Sequence, residues 1–182
     1  MKDPKLSVIV ITYNHEKYIE KALDSVLSQV TDFPFEIVIG DDCSPDDTKN
    51  IIREYRDKYP DIIRIVHREK NTGRPTLNVY ETTMKCRGDY LAYLEGDDYW
   101  TDSDKLQKQM DFLNEHPEYI ACTHSHKMID DNGNDITDPE ILKISDMYKW
   151  SGEFTMDDFE KSGFWPGHYA SVVSKNIYKN KK

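Results

Sequence analysis

The feature that most constrains this chain is an alternation, repeated four times within residues 1–115, between short apolar runs and stretches with helical spacing. "LSVIVIT" (6–12) is a nearly continuous β-branched run, as a strand covered on both faces reads. Ile19, Ala22, Leu23, Val26, Leu27 and Val30 then fall on one helical face. "FEIVIG" (35–40) repeats the strand signal. In "SPDDTKNIIREYRDKYP", Ser44 is the expected N-cap, with Pro45 at the first helical position and Asp47 in the first turn. Ile51, Ile52, Tyr55 and Tyr59 supply that helix's apolar stripe. "IIRIVH" (62–67) is a third strand, followed by an expected helix over 76–85 with Leu77, Tyr80 and Met84 inward. "DYLAYLE" (89–95) is the fourth, followed by a helix over 103–115 carrying Leu106, Met110 and Leu113. Strands separated by helices of this length pair in parallel, so the fold class is α/β, a mostly parallel sheet between two helical layers.

The remainder is less regular. "YIACTHSHKMI" (119–129) reads as a strand, and "DDNGND" (130–135) as a turn centred on Asn132-Gly133. Residues 136–162 read as irregular, and "GHYASVVSKN" (167–176) as a short strand. The 182 residues suit one domain, with a nucleotide-binding half over 1–115 and the start of an acceptor-binding half over 116–182. The net charge of −10 argues against a nucleic-acid partner. Three widely spaced cysteines, Cys43, Cys86 and Cys122, read as reduced thiols rather than a disulfide frame or zinc site, which suggests a cytoplasmic setting. The first apolar run, about seven residues, is far short of a membrane span and runs into a polar turn without a cleavage site.

In an open parallel sheet, ligands bind beyond the carboxyl ends of the strands. All four expected strand ends here are polar: "TYNHE" after the first, "DDCSPDD" after the second, "REKNTGRP" after the third and "EGDDYW" after the fourth. Each has a plain structural reading as well. Asp41 or Asp42 could cap a helix, Tyr13 and Asn14 could be turn residues, and Arg68 and Arg74 solvated loop charges. The coincidence of four polar ends favours a ligand. Neither G-x-G-x-x-G nor G-x-x-x-x-G-K-[ST] occurs, so phosphates have no glycine cradle. A hard cation held by carboxylates would neutralise a diphosphate instead, and it would explain why Asp97 and Asp98 crowd the end of an apolar strand.

Three segments in order, "SVIVITYNHEKYIEKALDSVLSQ", "EIVIGDDCSPDDT" and "GDYLAYLEGDDYWTDSDKLQKQMDFLNEHPEY", resemble the family 2 glycosyltransferases of the GT-A fold. The resemblance is good over 5–130 and loose over 131–176. It implies transfer of a sugar from a nucleotide diphosphate-sugar, UDP by default, to a saccharide or lipid-linked acceptor. It further implies inversion at the anomeric carbon, Mn²⁺ or Mg²⁺ as cofactor, and a role in cell-surface polysaccharide synthesis. On this chain it puts Thr12 and Tyr13 in the base pocket and Asp41 on the base imide N–H. Arg74 falls near the base or phosphates, Asp97 on the ribose or metal, and Asp98 on the metal. Glu95 stands where the family often has Asp and is left out of the ligand set.

The family's general base would follow the strand matched by "HYASVVSKN", so it is expected beyond Lys182, in a part that could also associate peripherally with the inner face of the membrane. Asp157, Asp158 and Glu160 precede that strand and are not assigned. Two other functions remain open. One is a non-catalytic nucleotide-sugar or carbohydrate-binding module. The other is a sugar-nucleotide nucleotidyltransferase, disfavoured because "TYNHEKY" lacks glycine. His124 and His126 would share one face of a strand and read as surface or acceptor-cleft residues. His168 is a lesser candidate for the diphosphate or metal, and Trp100 and Trp165 read as core aromatics before acceptor platforms.

Overall fold

The computed structural model describes residues 3–147, 152–163 and 167–179. Its centre is a six-stranded sheet built from β1 (Leu6–Thr12), β2 (Phe35–Asp41), β3 (Ile63–Val66), β4 (Tyr90–Glu95), β5 (Ala121–Cys122) and β6 (Val173–Lys175). The spatial order is β3-β2-β1-β4-β6-β5. The first four strands are parallel, with Thr12 opposite Asp41 and Ile11 opposite Glu95. β6 turns back antiparallel along β4, pairing Ala92 with Val173, and β5 is antiparallel to β6. The helices are α1 (Ile19–Leu27), α2 (Thr48–Lys58), α3 (Pro75–Thr83), α4 (Lys105–Glu115), α5 (Pro139–Met147) and α6 (Met156–Ser162).

The strand residues divide by parity, as the pleat requires. Leu6, Val8, Val10, Ile37, Ile39, Ala92 and Leu94 face α1, α2 and α4, whose Leu23, Val26, Ile52, Leu106, Met110 and Leu113 complete one core. Each such side chain, fully buried, contributes roughly 1.5–3 kcal/mol. The opposite face carries α3, where of the expected inward residues Leu77 and Met84 are only half-buried. Asn78, Thr82 and Thr83 are buried, and Tyr80 is exposed, packed edge-on against Tyr178. The cause is a close approach at Gly40. A Cβ there would lie 2.1 Å from the Thr82 hydroxyl, and Asn78 Nδ2 donates to the Gly40 carbonyl at 2.8 Å. Small polar residues let the helix rest on the strand where large apolar ones would hold it off.

Other expectations are also corrected. Ser44 does not cap α2, which starts at Thr48, because its hydroxyl is engaged with Asp41. Val30 lies past the end of α1 and is exposed, since Gln29 turns inward to accept from the Leu106 N–H and donate to the Asp102 carbonyl. Only Ala121–Cys122 of 119–129 forms strand. The stretch read as irregular contains α5 and α6, the latter fixed by a capping box between Thr155 and Asp158 and ended by left-handed Gly163. Residues 169–171 form a 3₁₀ turn ahead of β6.

One buried acid lies at the amino ends of the parallel strands. Glu36 is 1% exposed. It accepts from Ser7 Oγ (2.8 Å), from Arg87 N (2.8 Å) and Nε (2.9 Å), and from Arg64 Nη1 (3.3 Å). Burial alone would raise its pKa, but the hydrogen bonds from Arg87 and Ser7 outweigh that and hold it below the usual carboxylate range.

Candidate active site

The carboxyl ends of β1, β2, β3 and β4 open onto one edge, and two loops there have a residue in left-handed backbone, Asn14 and Cys43, each at φ 62°. These loops are laced together. Asn14 N donates to Ser44 Oγ and His15 N to Thr48 Oγ1, both at 2.9 Å. Asp41, 5% exposed, accepts from the Ser44 N–H and hydroxyl. Asp42, equally buried, takes both the N–H and the hydroxyl of Thr72, which ties down the loop after β3. Neither acid caps α2. Arg68 is no solvated charge: its side chain is 7% exposed, it pairs with Glu81, and it lies 3.7 Å from Asp42.

The other half of the site is the turn after β4. Gly96 N donates to Ile11 O at 2.8 Å, and Asp98 N to Glu95 O at 3.1 Å. A Cβ on Gly96 would sit 2.6 Å from Thr12 Oγ1 and 2.8 Å from His15 Nδ1, so only glycine lets the turn fold down on β1. The turn aims Glu95 and Asp98 at His168. His168 Nε2 is 3.9 Å from Glu95 Oε2, and Nδ1 is 3.7 Å from Asp98 Oδ2. One ligand atom from each of the three lies within 4.8 Å of the others. The His126 ring stacks beside His168 at 5.1 Å.

The electrostatics are the reverse of those at Glu36. Burial, then the neighbouring Asp98, pushes the Glu95 carboxyl up. Burial also raises Asp98, Asp97 adds to the rise, and His168 opposes it. Asp98 Oδ2 is buried and accepts no hydrogen bond. Two carboxylates and an imidazole within reach of one point are a donor set that suits a hard divalent cation, and the nitrogen favours Mn²⁺ over all-oxygen Mg²⁺.

Measured against the expected site, the structure brings Thr12, Asp41, Asp97 and Asp98 to one edge. Thr12 is buried with its hydroxyl unpaired, and Tyr13 beside it is 44% exposed. Adjacent strands lie about 4.8 Å apart, so Asp41 and Glu95, two strands from each other, are separated by about 10 Å. Asp97 is not in that trio and lies 3.8 Å from His15 Nε2. Arg74 is exposed at the residue before α3. Sequence reasoning set Glu95 aside and ranked His168 low, yet both join Asp98. What joins them is the antiparallel pairing of β6 with β4, which carries the residues ahead of β6 back to the carboxyl end of β4 and has no signal in the local sequence. His124 and His126 do not share a strand face, because the chain leaves the sheet at Cys122. Trp165 and Lys182 lie outside the described residues.

Comparison with known proteins agrees with this fold. The chain is 44% identical to the uncharacterized protein Rv1520 of Mycobacterium tuberculosis, over 84% of this chain and 42% of the relative. It is 35% identical to the putative teichuronic acid biosynthesis glycosyltransferase TuaG of Bacillus subtilis, over 80% of this chain and 58% of the relative. The chain thus spans about half the length of these relatives. The crystal structure of Staphylococcus aureus TarS 1–349 in complex with UDP-GlcNAc superposes with a TM-score of 0.70 at 28% identity, over 97% of this chain and 47% of that one. The fold is therefore the GT-A-type, Rossmann-like α/β sandwich. The model for glycosyl transferase family 2 matches residues 7–172, nearly the whole described sheet and both halves of the site, and the chain belongs to that family.

Proposed function

We propose that this chain binds a nucleoside diphosphate-sugar, UDP-linked by default, along the carboxyl edge of its sheet. It serves transfer of the sugar, with inversion, to a saccharide or lipid-linked acceptor in cell-surface polysaccharide synthesis. The observation that carries the reading is the convergence of Glu95, Asp98 and His168 on one point, about 10 Å along the edge from buried Asp41. That span suits a nucleoside diphosphate, with its base at Asp41 and its phosphates at the acidic turn. Relatives add support: TuaG is named for teichuronic acid biosynthesis, and TarS was solved with UDP-GlcNAc.

In this reading Tyr13 offers its exposed ring to the base, and Thr12 closes the floor beneath it. Asp41, oriented by Ser44, accepts the base N–H. Asp97 receives the ribose hydroxyls, and Arg74 approaches the phosphates from the far loop. Glu95, Asp98 and His168 would hold Mn²⁺ or Mg²⁺. When bound, the cation neutralises the diphosphate and so favours its departure. Asp158 is engaged in the capping box of α6 and is not offered as the base for the acceptor. The test is calorimetry of UDP with and without Mn²⁺, in wild type and Asp98→Ala. Mn²⁺ should tighten UDP binding, and UDP should tighten Mn²⁺ binding by the same factor. Equal UDP affinity in all conditions would remove the reading.

A further inference from the structure

Two polar residues on the buried face of α4 have no part in the site as described. Lys105 is 4% exposed, and its Nζ has no hydrogen-bond partner. It lies 4.0 Å from the centre of the Trp100 ring. Burial without a counter-ion pushes this ammonium down to about 7. One turn on, Gln109 Nε2 donates to the Ser171 carbonyl at 3.0 Å and to the Cys122 carbonyl at 3.1 Å. A methionine at 105 would fill similar space without the cost of desolvating a charge, so the cation calls for an explanation.

Trp100 supplies one. It stands two residues after Asp98. Its backbone N–H donates to Ser25 Oγ at 3.1 Å, and its indole N–H donates to the Ala170 carbonyl at 2.8 Å. Ala170 stands two residues after His168, and its own N–H donates to His168 Nδ1 at 3.3 Å. The contacts close a ring: Asp98 to Trp100 along the chain, Trp100 to Ala170, Ala170 to the His168 imidazole, and that imidazole 3.7 Å from Asp98 Oδ2. In its protonated form, the Lys105 ammonium on the indole face draws electron density from the ring and strengthens its N–H as a donor.

We propose that Trp100, held by Lys105, is a positioning residue: through Ala170, whose N–H occupies His168 Nδ1, it holds Nε2 toward Glu95 beside Asp98 and thereby sets the affinity of that cluster for a divalent cation. The inference rests on the cation reading above. Groups that orient metal ligands without touching the metal commonly cost 10- to 100-fold in affinity when removed.

The experiment titrates Mn²⁺ alone into the protein and follows the spin-resonance signal of free hydrated Mn²⁺. Thermal midpoints are measured on the same samples. Trp100→Phe keeps the apolar body and loses the N–H, so it should weaken Mn²⁺ binding by about tenfold. Lys105→Met keeps the stem and loses the charge, and about three- to fivefold is expected. Lys105→Arg should restore near-wild-type affinity. If Trp100→Phe does not fold, the contrast between Lys105→Met and Lys105→Arg carries the test. Variants that melt earlier yet bind Mn²⁺ like wild type would overturn the positioning role. Failure of the wild type to bind Mn²⁺ would instead overturn the cation reading itself.

Discussion

The same parallel sheet carries carboxylates at both ends, fully buried at one and half-exposed at the other, and treats them in opposite ways. At the amino ends, Glu36 receives donors from Ser7, Arg64 and Arg87, and its pKa is held down. At the carboxyl ends, Glu95 and Asp98 face one histidine and each other, and their pKa values are raised. One end is a completed ion cluster that joins β1, β2, β3 and the loop before β4. The other has acids whose charge the protein leaves only partly balanced. A buried carboxylate by itself says little about function. What separates a structural acid from a ligand-seeking one is whether the fold has already supplied its counter-charge.

The contrast breaks most sharply under substitution. Removing Glu36 strands two arginines and the Ser7 hydroxyl, so Glu36→Ala should cost about 3 kcal/mol, read as a lowered denaturant midpoint at unchanged slope. The arginines are over two-fifths exposed, which keeps the loss at the low end for a buried cluster. Asp98→Asn should do the opposite. It relieves repulsion, so the protein keeps or gains thermal stability while Mn²⁺ affinity falls by about 100-fold, or about 2.7 kcal/mol. A melting loss comparable to that of Glu36→Ala would make Asp98 a structural acid and erase the distinction between the two ends.

Asp41 sits between these cases, buried but partly supplied by Ser44. Asp41→Asn can turn its amide to present a donor, so it should shift the ratio of UDP to CDP affinity by about tenfold toward CDP while leaving the fold intact. An unchanged ratio would assign Asp41 to loop architecture alone.

The smallest effect lies in the pH dependence of the metal-free protein, because the half-exposed Glu95 and Asp98 are screened by solvent. Glu36 has a depressed folded pKa. Its contribution is present above the unfolded value of about 4.3 and disappears as pH falls through the folded one. Glu95 and Asp98 have raised folded pKa values. Their stabilising contribution is full below the unfolded values and fades as pH rises through the folded ones. On acidification from neutral these two acids should add stability, against the loss from His124 and Lys105, whose folded pKa values are lowered, and the depressed Glu36 then subtracts it in the acid range. Asp98→Asn should reduce the gain and Glu36→Gln the loss in the acid range. Identical pH profiles for Asp98→Asn and the wild type would contradict the raised values.

How much of this could be read in advance follows from the range of the interactions. β1 to β4, α1, α2 and α4 declare themselves because each strand run is apolar and each of these helices has its own stripe. The acidic turn was legible because like charges at a strand end need a reason. Glu36, by contrast, looked like one more strand residue, since its partners come from Ser7, Arg64 and Arg87 in three separate segments. α3 misled because packing against Gly40 inverts the usual rule of apolar inside. His168 and Trp100 depend on an antiparallel strand whose partner and register leave no local signature.

That antiparallel strand sets an order of events along the folding path. β1, β2 and β3 assemble from consecutive units, β4 then docks on β1 across the stretch from Thr12 to Tyr90, and the Trp100 to Ala170 contact closes a further loop of 70 residues onto that sheet. Chain entropy opposes such a closure until the parallel sheet exists to receive it. The pocket around Asp41 can thus mature while the segment bearing His168 is still undocked. A cation captured at the junction would act as a late stitch, protecting β6 amides from hydrogen exchange far more than those of β1, which the parallel core already guards.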